Sequence, residues 1–437
     1  MAQSIVELKA VGKSFRSADG APRTVLDNVD FTLREREIVA LLGQSGSGKS
    51  TLLRIMAGLV DADRGDMLYR GQPLYGPARG SSMVFQSFAL FPWLTVQQNV
   101  EIGLEARGIP AAEREKRAEQ VIDLIGLSGF EGALPRELSG GMRQRVGIAR
   151  ALVVDPDVLL MDEAFSALDV LTGERLRDDI LELWEEEKIS TKAILVVSHN
   201  IEEAVMMADR VLIFASDPGR VKYQMTVGLP RPRDADSPEV RALVDEIYAV
   251  MTAGRVRTGK AAEEPDRLRL DDRLPDADIG LMEGLLERLL EDPFRGRADL
   301  PKLGEETELT DEEFLPATEA LALLDLAQLE GGDLSITDLG RQYVAAEYSE
   351  RQALFSRQLL SRVPLAAHIR HSLLQEPSGQ LRDEPFLDLL RESMDAEESQ
   401  RVLNVAIEWG RHAEAYGYDY HTGMIRLPDS NNAQPLS

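Results

Sequence analysis

The chain has 437 residues and no cysteine, which leaves room for two or three domains and excludes a disulfide framework and a thiolate metal site. Its net charge of −26 disfavours a nucleic-acid phosphate backbone as the main partner. The acidity is uneven: residues 1–260 carry 32 Lys/Arg against 38 Asp/Glu, a net of −6, whereas 261–437 carry 17 against 37, a net of −20. That shift marks two bodies with different surfaces.

The opening MAQSIVELKAVGKSF has no apolar core of signal-peptide length, and no later apolar run reaches the roughly 18 residues of a membrane span. Membrane contact is therefore expected only through a partner. Up to about residue 215, short apolar runs alternate with amphipathic helical stretches. Strands are expected around 38–42, 83–85, 158–161, 194–197 and 211–214, in a buried, largely parallel sheet.

At the end of the first of these runs stands GQSGSGKST, which comprises Gly43, Gln44, Ser45, Gly46, Ser47, Gly48, Lys49, Ser50 and Thr51. Glycine is costly in regular structure, so three of them between a strand and a helix point to bare backbone with a purpose. The stretch fits the phosphate-binding pattern G-x-x-x-x-G-K-[ST] in its strand–loop–helix context. Its N–H groups can form a concave anion nest, and the following helix adds its positive end. Lys49 would then reach the β/γ-phosphates of a nucleotide such as ATP, and the Ser50 hydroxyl would bind Mg²⁺.

Further along, VLLMDE is an apolar strand ending in two carboxylates, where open α/β sheets present catalytic groups. Asp162 is the candidate Mg²⁺ ligand and Glu163 the candidate general base. Before it lies LSGGMRQRVGIARAL, in which Ser139, Gly140 and Gly141 open a helix and so make a second anion site.

These motifs together resemble the ABC ATPases over residues 5–230. The resemblance implies a P-loop α/β domain with a helical subdomain, paired head to tail with a second ATPase subunit, a copy of itself or a paralogue, each signature closing over the other's ATP. Met142 stands where the family usually has Gln, a position that contributes no anion-binding N–H. The resemblance makes Gln86 the loop glutamine that senses Mg²⁺ and water, Asp169 part of the loop linking the two sites, and His199 the switch histidine. Phe15 replaces the usual adenine-stacking tyrosine. Phe91 and Trp93, in FALFPWLT, are expected to receive a helix of an integral membrane permease.

A lone cassette resembles bacterial importer subunits, and LFPWLTVQQNV, SHNIEEAV and FASDPGR look most like the nitrate/sulfonate/taurine/bicarbonate group. That implies a peripheral position on the cytoplasmic face of the inner membrane, with a periplasmic binding protein as an indirect partner. The competing reading is a soluble ABC ATPase acting on nucleic acid or ribosomes, which the acidity and the single cassette disfavour.

Residues 231–276, rich in Pro, Asp, Arg and Gly, read as a linker with a possible helix at 238–251. Residues 277–437 read as mainly helical, with helices at 279–290, 311–329, 349–371 and 395–416 and hairpins at 329–337 and 416–427. Helices followed by a small hairpin suggest winged-helix-like units. The segment resembles the C-terminal AAA-associated domain, expected to regulate the ATPase or stabilise its dimer. His368, His371, His412 and His421 lack metal-like spacing.

Overall fold

A computed structural model describes residues 3–16, 22–43, 46–215, 218–253, 270, 272–307, 309–330, 332–391, 394 and 396–428. Two units divide the chain: Met1–Phe15 with Thr24–Val244, and Arg16–Arg23 with Asp245–Ser437. The first begins β1 (Ser4–Arg16), β2 (Pro22–Arg34), β3 (Glu37–Gly43), α1 (Lys49–Met56), β4 (Arg64–Tyr69), β5 (Gln72–Pro73) and β6 (Ser81–Val84). Helices α2 (Val96–Ala106), α3 (Ala111–Leu124) and α4 (Gly140–Leu152) follow. Then come β7 (Val158–Asp162), α5 (Val170–Glu185), β8 (Ala193–Ser198), α6 (Ile201–Met207), β9 (Arg210–Ala215) and β10 (Arg220–Thr226). The division between units falls inside α7 (Pro238–Ala253).

Every residue of β7 and β8 is buried, as a parallel strand covered on both faces requires. They lie in a six-stranded sheet of order β10-β9-β3-β8-β7-β6, parallel throughout except for β10. Leu42 pairs with Ser198 and Val197 with Asp162. This register sets the carboxyl ends of β3, β8 and β7 side by side, at the edge where open α/β sheets carry their ligands.

A four-stranded sheet, β2-β1-β4-β5, antiparallel where β4 pairs with β1 and β5, shares its core with this one through Ile5, Leu8, Val29, Leu41 and Leu195. The strand expectations did not include it. The pairing of β1 with β4 slips between Lys9 and Gly12, which breaks the alternation that marks a strand in sequence. Helices α2, α3 and α4 close a separate core around Val100, Ala118, Ile122 and Val146.

The second unit begins α8 (Ile279–Leu290), β11 (Arg297–Asp299), α9 (Leu300–Thr307), α10 (Asp311–Leu323), β12 (Ala327–Glu330) and β13 (Asp333–Ile336). After α11 (Asp338–Ala345) and α12 (Tyr348–Arg362) the order returns: α13 (Pro364–Gln375), β14 (Gln380–Arg382), α14 (Glu384–Arg391), α15 (Ala396–His412), β15 (Gly417–Asp419) and β16 (Met424–Arg426). Both series run helix, strand, helix, helix, hairpin, the order of a winged helix. The two sheets, β11-β13-β12 and β14-β16-β15, have the same topology. Glycines with positive φ precede the first strand of each, Gly296 and Gly379, and sit in each hairpin, Gly332 and Gly423. The unit is a tandem pair of one module.

Three expected helices end earlier than their apolar periodicity suggests. The helix expected over 311–329 stops at Leu323, and Asp325 takes a left-handed φ of 61° before β12. Buried Leu326 and Ala327 continue the apolar pattern in the strand, which masks the change. The helix expected over 349–371 is two helices, because Pro364 forces Val363 out of helical geometry (φ −113°, ψ 95°). The last expected helix stops at His412.

Tyr416 and Trp409, each 1% exposed, fill the second module. The Tyr416 hydroxyl donates to Ala406 O at 2.8 Å and Trp409 Nε1 to Ala277 O at 3.1 Å. A Cβ on Gly410 would stand 2.1 Å from Tyr416 Cζ, so this helix position admits no side chain. Gly410→Ala is expected to cost about 1–3 kcal/mol through overpacking. Denaturant titration checks this, and an unchanged midpoint would show that Tyr416 yields without cost.

Candidate functional site

Gly43 ends β3 beneath the backbone of β9: a Cβ there would meet Phe214 O at 2.8 Å. Gly48 takes a left-handed φ of 93° as the N-cap of α1, where no side chain caps the helix. Gly46 has φ 74°, with open space where a Cβ would point. Gln44 and Ser45 lie outside the described residues. Lys49 is 4% exposed and its Nζ donates to Gly43 O at 2.6 Å. Ser47 Oγ is buried without a hydrogen-bond partner. Thr51 is half-buried in the first turn of α1. A helix start with no side-chain cap, a buried ammonium and an orphaned hydroxyl form a cradle suited to phosphate.

Across the strand ends, Ser50 Oγ donates to Asp162 Oδ1 at 2.9 Å. Burial pushes the Asp162 carboxyl above its ordinary pKa, offset by the Ser50 hydroxyl and the charges of Arg54 and Lys49. Among the described residues no group of three or more His, Cys, Asp or Glu is placed to hold a metal ion. The Ser50–Asp162 pair still supplies two hard oxygens, and Mg²⁺ commonly takes one or two protein oxygens with the rest from water and phosphate.

Glu163 has φ 48°, a strained conformation for a non-glycine residue that costs of order 1–3 kcal/mol and is typical of functional positions. Its N–H donates to Val197 O at 3.1 Å, which fixes it beside the end of β8. His199 Nδ1 is buried, has no hydrogen-bond partner and lies 3.9 Å from the Glu163 carboxylate. Gln86 donates from Nε2 to Ser166 Oγ at 3.3 Å, and Ser166 donates to Glu163 O at 2.9 Å. The structure thus links Gln86, Ser166 and Glu163 in one chain. Glu163, Ser166, Asp169 and His199 line one cavity of about 230 Å³.

The other expected site residues have local structural partners of their own, Asp169 of that cavity among them. Ser139 caps α4, accepting from Met142 N at 3.3 Å, and Gly140 opens the helix. Gly141 packs so closely on α5 that a Cβ would meet Thr172 Cγ2 at 2.5 Å. Asp169 caps α5 and accepts from Thr172 N, and these bonds from Thr172 lower its pKa. Phe15 is 43% exposed, with Lys13 Nζ 5.3 Å from its ring centre.

Residues 26–166 match the family described as ABC transporter, and 301–419 match the C-terminal AAA-associated domain. An uncharacterized ABC transporter ATP-binding protein of Methanocaldococcus jannaschii is 46% identical over 214 residues, 49% of this chain and 79% of that protein. The chain belongs to the ABC transporter ATP-binding family. The nitrate import ATP-binding protein NrtD of Synechocystis is 45% identical over 216 residues, covering 49% of this chain and 79% of that one. The taurine import ATP-binding protein TauB of Mesorhizobium japonicum is 42% identical over 225 residues, 52% and 86% of the respective chains. With these motifs and this family, the chain is an ABC-type ATPase.

Three further residues of this ABC ATPase lie in the motifs quoted above but were given no role there. Asn99, 0% exposed, accepts from Phe91 N at 2.8 Å and donates to Phe91 O, Leu94 O and Thr95 O at 2.9–3.2 Å. It holds the loop on which Trp93, 71% exposed, and Phe91, 36% exposed, pair at 5.6 Å. Arg150 of α4 donates to Phe88 O and Ala89 O at 2.9 and 2.6 Å, tying the signature helix to the loop after Gln86. Glu203, four residues beyond His199, shares the cavity with Glu163. Its spacing from His199 on the first turn of α6 was the available signal.

Burial pushes the Glu203 carboxyl up to about 7; the charge of Glu163 adds to this, and the Ser198 hydroxyl and Arg177 offset part of it. A carboxyl whose folded pKa is raised stabilises below its unfolded pKa of 4.5, and that contribution is lost as pH rises through about 7. Glu203→Gln is therefore expected to flatten stability against pH between those values. Thermal unfolding at a series of pH values checks this, and parallel curves for both proteins would contradict the placement of Glu203.

Proposed function

We propose that this ABC ATPase powers a bacterial importer for a small anion such as nitrate, sulfonate, taurine or bicarbonate, through head-to-tail closure of two ATPase subunits over ATP. The names of the nitrate and taurine relatives support the cargo class. The observation that carries the hydrolytic reading is the Ser50–Asp162 pair at 2.9 Å beside the strained Glu163.

In this reading the cradle of residues 43–51 takes the nucleotide phosphates, and Lys49 exchanges Gly43 O for phosphate oxygens. Phe15 stacks on the adenine. Ser50, Asp162 and Gln86 hold Mg²⁺, which neutralises phosphate charge when bound. Glu163 accepts the proton of the attacking water and His199 fixes the geometry of that attack. Ser139, Gly140, Gly141 and Asp169 complete the site of the opposite subunit.

Phe91 and Trp93 offer an aromatic anchor to a helix of the permease, which would place the chain on the cytoplasmic face of the membrane, with a periplasmic binding protein beyond. No helix among the described residues is long and apolar enough to cross a membrane. The division we infer is an ATPase domain over 1–230, a linker over 231–276 and a regulatory or dimer-stabilising domain over 277–437. Its net charge of −20 over 261–437 argues for a protein rather than a nucleic-acid contact.

Glu163→Gln is expected to lower ATP turnover about 100-fold or more while retaining ATP binding. Near-normal hydrolysis would remove Glu163 as the base. Lys49→Ala is expected to weaken ATP binding by about tenfold to a hundredfold, the worth of a charge-assisted hydrogen bond. Equilibrium binding of a fluorescent ATP analogue measures it, and undiminished affinity would overturn the cradle.

A further inference from the structure

The segment 228–233, which follows β10 within the first unit, carries two arginines that close on the far end of α6. Arg233 donates from Nη1 to Val205 O, to Met206 O at 3.3 Å and to Ala208 O at 2.7 Å. Its other nitrogens hold Leu229 O of its own segment at 2.9 and 3.1 Å. Arg231 takes the remaining carbonyl, Met207 O, from Nε and Nη2 at 2.9 and 2.7 Å. Together they satisfy the carbonyls that a helix leaves open at its C-terminus, and their charge suits that negative end.

Arg231 also reaches two other elements. It pairs with Glu185 at the end of α5 at 2.9 Å and with Asp209 Oδ1 at 2.6 Å. Asp209 Oδ2 in turn accepts from Ile38 N at 2.8 Å, in β3. The front ends of α5, α6 and β3 carry Asp169, His199 and Gly43. One guanidinium thus joins the back ends of three elements whose front ends bear candidate nucleotide-site residues.

Helix α6 is only two turns long, about 10 Å at the usual rise. Its front is capped by Asn200, which accepts from Glu203 N at 2.7 Å, while Ser198 Oγ accepts from Asn200 N at 3.0 Å. His199 sits between those two anchors. A shift of α6 along its axis therefore carries His199 with it, and misplacement by about 1 Å can cost on the order of 100-fold in rate.

We propose that Arg231 and Arg233 are positioning residues for ATP hydrolysis: by holding the back of α6 against β3 and α5 they set where His199 stands relative to Glu163. The inference rests on the hydrolytic role of those two residues given above. Because the guanidinium forks span several carbonyls at fixed angles, charge alone does not replace them.

The chain has five histidines and only one, His199, precedes residue 368. Full-length protein labelled with [ε1-¹³C]histidine gives five ring signals, of which His199→Gln identifies one. In Arg233→Gln the His199 signal is expected to move while the other four stay, and kcat to fall about tenfold with KM for ATP within about twofold. Arg233→Lys should recover only part of the turnover. An unmoved His199 signal overturns the proposal, as does a shifted signal with kcat unchanged, or a lowered melting temperature with neither readout altered. If Arg233→Gln gives no cooperative melt, Arg233→Lys is judged by the same two readouts. Should His199→Ala itself retain turnover, the hydrolytic reading fails, while the ring signal still reports whether the arginines place His199.

Discussion

A hydroxyl from a helix and a carboxylate from a neighbouring strand meet at 2.9 Å, Ser50 to Asp162, because β3, β8 and β7 run parallel in a shared register. All the chemistry of the first unit depends on that constraint. If β8 slipped by one residue, every side chain would change face and the cluster of Lys49, Asp162, Glu163 and His199 would come apart. Six residue pairs join β8 to β3 and five join it to β7, so a slip would have to break both ladders at once.

A further set of side chains fixes loop and helix-end backbone. Asn99 holds the aromatic loop through four hydrogen bonds, Arg150 holds the loop behind Gln86, and Arg231 with Arg233 holds α6. Each is a planar fork turned on peptide groups that secondary structure leaves open. Loops that carry function are thus made as definite as the strands that flank them.

This division explains what was legible in the sequence. The stretch around Lys49 announces itself because Gly48 needs a left-handed backbone and Gly43 a close approach to Phe214 O, and VLLMDE does so because a buried strand ending in charge is unusual. The central strands were read to within a residue or two for the same reason. Asn99, Glu203 and Arg233 could not be read, because an amide, a carboxylate or a guanidinium in a polar stretch looks like solvated surface until burial is known. The antiparallel sheet was lost to a bulge at Lys9–Gly12, and the break at Val363 was hidden by apolar periodicity running through it. Pro364 was the visible clue.

The acidic unit repeats one module, down to helices of equal length (α8 and α13, α9 and α14) and glycines at matching bends. Duplication puts two copies of one backbone framework on the same polypeptide. A ligand with paired contacts would then make its second attachment at an effective concentration fixed by the fold instead of by diffusion, and modest contacts would add up to durable capture.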